Sequence, residues 1–138
     1  AMDKLQGQVT TNAAAVSQHA ALAALTGDQA PTEKMVAEFD ARRSVMYAAL
    51  SAIPDVRCVE PHGAFYCFPD VSAYLGPKVP DDVALSRYLL EEAAVAVVPG
   101  TGFYAPGHIR LSYATSVPLI EEGVRRLASG LQSLRASH

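Results

Sequence analysis

The residue best suited to binding chemistry in this sequence is an arginine within a short segment of alternating apolar and polar side chains. In residues 108–113, alternation with a period of two predicts a β-strand on which Ile109, Leu111 and Tyr113 share one face. Arg110 then lies on the opposite face, soon after a glycine-rich segment. An arginine held in mid-strand can present a rigid pair of N–H donors to a carboxylate. An arginine that is solvated or paired within the chain fits the same pattern.

Other patterns that carry chemistry are missing or fail in their context. The four histidines and two cysteines never fall at metal-ligand spacing, so no metal site is expected. No serine stands between glycines as in the nucleophile turn of hydrolases. Residues 100–102 (GTG) have the composition of a phosphate loop, but such a loop must open a helix, and a strand is predicted to follow here. A turn between two strands is therefore the prediction.

The composition excludes several classes of function. Half of the 138 residues are hydrophobic, which is enough to bury a core. The net charge is −3 and the 11 lysines and arginines are scattered, so nucleic-acid binding is not expected. No apolar run reaches the ~18 residues of a membrane span, and no basic-then-apolar leader opens the chain, so the expected setting is cytoplasmic with no membrane partner. Cys58 and Cys67 lie in β-like runs, where core packing is favoured over a disulfide.

Helical periodicity organises the first part of the chain. Residues 1–6 are helix formers without a preceding cap, as if the chain started within an element, and residues 7–12 are expected to be irregular with possible cap residues. Residues 13–25 predict an alanine-rich helix. A long amphipathic helix follows from about 32 to 53. Its predicted apolar stripe consists of Met35, Phe39, Met46, Leu50 and Ile53.

Two further helices are predicted later in the chain. Asp81 or Asp82 can cap a helix that ends near residue 92. Ser116 caps the last helix, which carries one apolar face. That face consists of Ile120, Val124, Leu127, Leu131 and Leu134.

The predicted strands lie between these helices. Residues 56–60 and 65–68 are joined by a short connection with a glycine, which predicts an antiparallel hairpin. The apolar run 95–98 predicts a buried strand, and 108–113 the last one. The fold class is therefore α+β: a small, largely antiparallel sheet packed with helices and preceded by a long helix.

Three segments occur in a characteristic order: 63–69 (GAFYCFP), 95–103 (VAVVPGTGF) and 108–116 (HIRLSYATS). A Thr-Thr-Asn sequence at 10–12 precedes the alanine-rich helix. Together they resemble the C-terminal motifs of class I aminotransferases, especially the bacterial aspartate aminotransferase branch. Each motif alone is common, whereas the ordered set extends over almost the whole chain.

The resemblance implies roles for four residues. Arg110 is implied to bind the substrate α-carboxylate, because a guanidinium can hold it through two parallel hydrogen bonds. Gly63 would face the substrate, and a glycine required by the hairpin turn is the alternative. Thr11 and Asn12 would lie near the active site across a subunit interface, and for Asn12 an ordinary helix cap is the alternative.

The resemblance also implies a fold-type I enzyme, usually a homodimer, in which a large domain binds pyridoxal phosphate and a small domain closes over the substrate. Residues 1–27 would be a remnant of the large cofactor-binding domain, and residues 28–138 the small C-terminal domain. The implied reaction moves an amino group between an L-amino acid, aspartate or similar, and a 2-oxo acid.

The chain departs from the family pattern in its lysines. The family's Schiff-base lysine lies in a Ser-Lys motif, and none of Lys4, Lys34 and Lys78 has that context. No catalytic residue and no bound cofactor are therefore expected in this chain, which is predicted to be inactive by itself as the C-terminal part of a longer enzyme. The alternative is a ligand-sensing aminotransferase-like domain of a bacterial transcription regulator.

Overall fold

The computed structural model describes residues 1–10 and 12–135, and Thr11 is outside them. The chain divides into two compact units, Ala1–Met35 and Val36–His138. The first unit is helical. The second contains the sheet, the hydrophobic core and the strand with Arg110.

The first unit contains helix α1 (Met2–Val9), helix α2 (Ala15–Thr26) and the start of helix α3 (Ala30–Ser51). The predicted helix at 13–25 is confirmed, with a backbone hydrogen bond of 2.9 Å from Gly27 N to Ala23 O at its end. The prediction that residues 7–12 are irregular is wrong as far as Val9. The helix continues because Gly7 costs only about 1 kcal/mol in a helix interior and nothing packs against it.

Helix α3 packs against the core of the second unit through its C-terminal half. Met46 and Leu50 are buried on it, and Ile53 is buried directly after its end. Phe39 is partly buried and packs on the ring of Tyr113 at 6.3 Å between ring centroids. The predicted stripe is wrong at its first residue, since Met35 is 52% exposed. A 3.6-residue period shows which residues of a helix share a face, but it does not show how far along the helix that face is covered by the core.

The sheet has three short antiparallel strands: β1 (Tyr66–Cys67), β2 (Val98–Pro99) and β3 (Ile109–Ser112). Their order is β1-β3-β2, so the strand with Arg110 is central. Together with the five α-helices in residues 1–10 and 12–135, this sheet confirms the predicted α+β class. The predicted faces of β3 are confirmed as well, because Ile109, Leu111 and Tyr113 are all buried.

The predicted hairpin of 56–60 with 65–68 is wrong. A single antiparallel bridge joins Arg57 to Asp70, through backbone hydrogen bonds of 3.1 and 2.8 Å. Beyond it the chain turns towards α3, where Arg43 donates to Glu60 at 2.7 Å. Pro61 has no N–H to extend a ladder. Strand β1 pairs with β3 instead, with Tyr66 opposite Ser112.

The predicted strand at 95–98 is also mostly wrong. Helix α4 (Asp82–Ala93) ends in a left-handed residue, Ala94 (φ 52°), and Val95 N donates to Leu89 O at 3.0 Å. The residues after Ala93 therefore close the helix before they can pair with a strand. Only Val98 and Pro99 enter the sheet, and Val98 is 39% exposed.

Helix α5 (Val117–Arg135) provides the largest apolar face of the core. All five residues of its predicted stripe are buried. It packs closely on α4, because a Cβ added at Gly130 would approach Ala93 Cβ to 3.1 Å. Each such buried aliphatic side chain stabilises the fold by about 1.5–3 kcal/mol. The predicted position of the helix start is confirmed, because α5 begins directly after Ser116 and Ile120 N donates to the backbone O of Ser116 at 3.0 Å.

Both cysteines are free, and Cys67 is buried in the core. A hydrogen bond between the two thiols lowers the pKa of Cys58 to about 7 and raises that of Cys67. Across residues 1–10 and 12–135, no helix is both long enough and apolar enough to cross a bilayer.

Candidate functional site

Arg110 lies in the middle of the central strand with its side chain half-buried. Its neighbours Ile109 and Leu111 point into the core, so the strand cannot rotate without exposing them. Antiparallel pairing of Arg110 with Val98 of β2 also holds the backbone of the strand in place. The guanidinium is therefore fixed to the most constrained part of the sheet.

Two aromatic rings border the guanidinium. Its Cζ atom lies 5.5 Å from the ring centroid of Tyr66 and 4.7 Å from that of Phe103. Both distances are within the range of cation–π attraction, which contributes about 0.5–2 kcal/mol. Tyr66 comes from β1 and Phe103 from the turn after β2. The rings restrict the rotamers of Arg110, and no other residue in 1–10 and 12–135 accepts a hydrogen bond from its guanidinium N–H donors.

Among residues 1–10 and 12–135, no carboxylate forms an ion pair with Arg110. Five other arginines do pair with acidic side chains: Arg42, Arg43, Arg125 and Arg126 at 2.7–3.4 Å, and Arg135 with Asp55. A half-buried guanidinium without a carboxylate is an unusual arrangement, because removing it from water costs free energy that a partner normally offsets. The geometry suits a carboxylate supplied by another molecule.

The turn that carries Phe103 is tightly closed. It consists of residues 100–107, and Gly100 N donates to His108 O at 2.8 Å while Ala105 N donates to Gly100 O at 3.1 Å. A Cβ at Gly100 would lie 2.2 Å from Ala105 O, so any other residue would force the backbone of the turn to shift. Its first four residues, Gly100–Phe103, form a single 3₁₀ turn, as expected for a connection between two strands and not for a phosphate loop.

The ring of Phe103 is supported from behind. It meets the ring of Phe68 edge to face, with centroids 6.0 Å apart. Phe68 in turn stacks on the imidazole of His108 at 5.2 Å and 20°. These contacts connect the start of β3 to the ring that covers Arg110.

A buried carboxylate anchors the same turn. Asp82, at the first position of α4, accepts hydrogen bonds of 2.7 Å from both the backbone N and the hydroxyl of Thr101. Gly107 N lies at 3.5 Å. Burial raises the pKa of the Asp82 carboxyl, but the hydrogen bonds from Thr101 and Gly107 outweigh it and hold the pKa below its ordinary value. Asp82 is therefore charged at neutral pH, and its stabilising effect is lost only as the pH falls through that lowered pKa.

Gly63 is exposed on the connection that leads into β1. Its φ is not left-handed, whereas that of the next residue, Ala64, is +61°. A Cβ added at Gly63 would meet nothing within 4 Å. Among the described residues, neither the turn nor the packing requires glycine at this position.

Asn12 lies in the first unit, and Thr11 falls outside the described residues. Asn12 is exposed with φ 64°, a left-handed conformation that asparagine tolerates better than most residues. The alternative interpretation of Asn12 as a helix cap is wrong, because the N-cap of α2 is Ala14.

None of the three lysines of the chain lies in the Ser-Lys context of the family's Schiff-base lysine. Lys4 and Lys34 are exposed on α1 and α3. The ammonium of Lys78 lies 5.1 Å from the ring of Tyr88, on a different part of the second unit from Arg110. Within the described part of the chain, no three His, Cys, Asp or Glu side chains converge as metal ligands. The arrangement at Arg110 suits the binding of an anion.

The sequence alone pointed to Arg110 but not to Tyr66, Phe103 or Asp82. Tyr66 and Phe103 reach Arg110 through strand pairing and a turn, and neither can be read from spacing. A weak signal existed for Asp82. Of the two consecutive aspartates only Asp81 caps α4, by accepting from Ala84 N at 2.7 Å, and the second needed another explanation.

The chain matches the family model described as "Aminotransferase class I and II" over residues 1–127. It is 44% identical over 130 residues to an aspartate aminotransferase of Geobacillus stearothermophilus, which covers 92% of this chain and 33% of the relative. A probable aspartate/prephenate aminotransferase of Aquifex aeolicus is also 44% identical, over 94% of this chain and 33% of that protein. The chain thus spans about a third of the length of these relatives.

Solved structures of aspartate aminotransferases are also similar to this chain. An aspartate aminotransferase from Rhizobium meliloti superposes with a TM-score of 0.82 at 36% identity, over 95% of this chain and 34% of that one. An aspartate aminotransferase from Thermus thermophilus with maleate has a TM-score of 0.77 at 39% identity, over 94% and 33% of the two chains.

Proposed function

Because this chain belongs to the aminotransferase class I and II family, we propose that it provides the substrate carboxylate site of an aminotransferase, with Arg110 as the binding residue. The observation that carries the proposal is the half-buried guanidinium between two rings without a carboxylate partner among the described residues. Two parallel N–H donors would fix the α-carboxylate in one orientation and so direct the α-amine of the substrate.

The proposed reaction transfers an amino group between an L-amino acid, aspartate or a similar one, and a 2-oxo acid. Support comes from the relatives, whose names include aspartate aminotransferase and aspartate/prephenate aminotransferase. Pyridoxal phosphate is the proposed cofactor of the complete enzyme and would supply the electron sink for this reaction. Since no lysine of this chain suits its anchoring, its contacts belong to the part of the relatives that this chain does not span.

We further propose that residues 1–27 belong with the large cofactor-binding domain and residues 28–138 form the small domain. Gly63 would face the substrate, and Thr11 with Asn12 would lie near the active site at a subunit interface. The open space beside Gly63 supports its role. The cytoplasm is the proposed location, for which the two free cysteines are suitable.

The alternative of a ligand-sensing domain in a transcription regulator has no support from the relatives. The curated relatives described above are named aminotransferases, as are the solved structures.

Amino transfer is expected from the complete enzyme and not from this chain alone. The complete enzyme with pyridoxal phosphate should convert L-aspartate and 2-oxoglutarate, whereas residues 1–138 should show no turnover because no lysine here has the required surroundings. Borohydride reduction of this chain with the cofactor should give sparse labelling of several lysines. A single stoichiometric label at Lys4, Lys34 or Lys78 would contradict the second expectation, and a folded, cofactor-loaded complete enzyme without amino transfer would contradict the proposed function.

Self-association through the first unit is also expected. Neither α1 nor α2 has a buried residue, and Leu22 and Leu25 are exposed on one side of α2, Leu25 by 82%. Exposed apolar surface of this kind drives association in water. Sedimentation of the chain at tens of micromolar should show a dimer that Leu22→Gln with Leu25→Gln converts to monomer. The matched control is Leu90→Gln on α4, which should leave the dimer intact, and a monomeric unmodified chain would refute the expectation.

A further inference from the structure

Asp82 is a buried charge whose position in the fold is not explained by the helix that carries it. Its side chain is 1% exposed, and no ion pair joins it to a cation within residues 1–10 and 12–135. A buried carboxylate without a cation is costly unless hydrogen bonds replace its water. The cap of α4 is already provided by Asp81, so capping does not account for Asp82.

The hydrogen bonds of Asp82 lead to both ends of one turn. Its Oδ2 accepts from Thr101 N and its Oδ1 from Thr101 Oγ1, each at 2.7 Å. The longer contact from Gly107 N, at 3.5 Å to Oδ1, lies at the other end of the turn. Position at the start of α4 adds a favourable interaction with the helix dipole. The carboxylate thus fastens the turn 100–107 to a rigid helix.

This turn carries the ring closest to the guanidinium. Phe103 lies two residues after Thr101, and its ring centroid is 4.7 Å from Arg110 Cζ. On its other side Phe103 rests on Phe68. A change in the position of Thr101 would therefore move Phe103 and weaken the contact between its ring and the guanidinium of Arg110.

We propose that Asp82 is a positioning residue for the carboxylate site: it holds Thr101 so that Phe103 keeps the Arg110 guanidinium aligned for its ligand. The inference rests on the proposed function. Asp82 does not touch the substrate, and it acts through the turn and the aromatic ring.

The test compares two aspartates at the same helix end. Asp82→Asn retains the size of the side chain but replaces one acceptor oxygen by an amide donor that faces the donors of Thr101. Asp81→Asn removes the same charge one residue earlier and keeps the cap, since asparagine caps helices as well as aspartate. In the complete enzyme, Asp82→Asn should raise KM for L-aspartate by about tenfold or more with a smaller change in kcat, because the site holds ground state and transition state alike. Asp81→Asn should leave both within about twofold.

A second readout does not depend on catalysis. In NMR spectra of residues 1–138, the δ-methylene protons of Arg110 should be shifted upfield by the two rings, and Asp82→Asn should move them towards the position of an exposed arginine. Thr101→Ser keeps the hydroxyl donor and should keep the shift, whereas Thr101→Val should lose part of it. If Asp82→Asn does not fold, Thr101→Val carries the test.

Unchanged Arg110 resonances and an unchanged KM in Asp82→Asn or in Thr101→Val would overturn the inference. If Arg110→Ala itself left KM unchanged, the proposed function would fail, whereas the NMR shift would still decide whether Asp82 positions the guanidinium.

Discussion

Replacing Arg110 by alanine in the complete enzyme is expected to reduce kcat/KM for L-aspartate by at least about 10–150-fold. The estimate follows from a charge-assisted hydrogen bond of about 1.5–3 kcal/mol, with each 1.4 kcal/mol giving a tenfold change. The guanidinium forms no ion pair with a described carboxylate, so its loss should break only its contacts with the rings of Tyr66 and Phe103. The melting temperature should therefore fall by no more than about a few degrees.

Arg110→Lys should restore only part of the activity. A lysine ammonium is a single point charge and cannot form two parallel hydrogen bonds with a carboxylate. Arg87→Ala is the matched control, because Arg87 is an exposed arginine on α4. Kinetics and melting temperatures of all three variants should be measured together. If Arg110→Ala melts many degrees lower while kcat/KM of the folded enzyme stays within about threefold, Arg110 is structural.

Gly100→Ala should destabilise this chain by about 1–3 kcal/mol or more, the range for a side chain forced into filled space. The added Cβ would lie 2.2 Å from Ala105 O and 2.8 Å from His108 O, and backbone atoms cannot give way as a flexible side chain can. Both oxygens belong to the hydrogen bonds that close the turn, so relief of the clash would open it.

Gly102→Ala is the control for this prediction. Gly102 belongs to the same 3₁₀ turn, but a Cβ there would meet nothing within 4 Å. Denaturant unfolding of the two variants should show a lower midpoint for Gly100→Ala and a midpoint near that of the unmodified chain for Gly102→Ala. Equal midpoints would show that the closed turn is not a fixed part of the fold.

The sequence predicted those elements whose pattern is repeated along the chain. Five apolar residues at helical spacing predicted the buried face of α5, and three alternating residues predicted the buried face of β3. Both patterns are local, because a residue's face depends only on its position in its own element. The helix start at Asp81 was likewise set by a side chain within reach of its own backbone.

Strand pairing could not be predicted in the same way. Residues 56–60 have strand-like composition, but Glu60 accepts a hydrogen bond from Arg43 of α3. The two residues are 17 positions apart in sequence. The apolar run after Ala93 begins with the closure of a helix, and Ala94 takes a left-handed conformation that alanine rarely adopts. Such outcomes depend on tertiary contacts that override local preference.

In the candidate site, too, the residue with a local sequence pattern could be predicted, and the residues placed by tertiary contacts could not. Arg110 could be found from alternation and from the family motif around it. The rings of Tyr66 and Phe103 and the carboxylate of Asp82 could not, since they reach the site through the β1–β3 register and through a turn that folds back on α4. Residues that position a binding group are therefore harder to predict than the group itself.

The central claim is that the Arg110 guanidinium binds a carboxylate of the substrate. The most direct measurement is a crystal structure of the complete enzyme with a bound dicarboxylate such as maleate. We expect two N–H donors of Arg110 at about 2.7–2.9 Å from the two oxygens of one carboxylate, with the guanidinium still bordered by Tyr66 and Phe103. A ligand carboxylate bound elsewhere, with Arg110 paired to an acidic side chain of the protein, would contradict it.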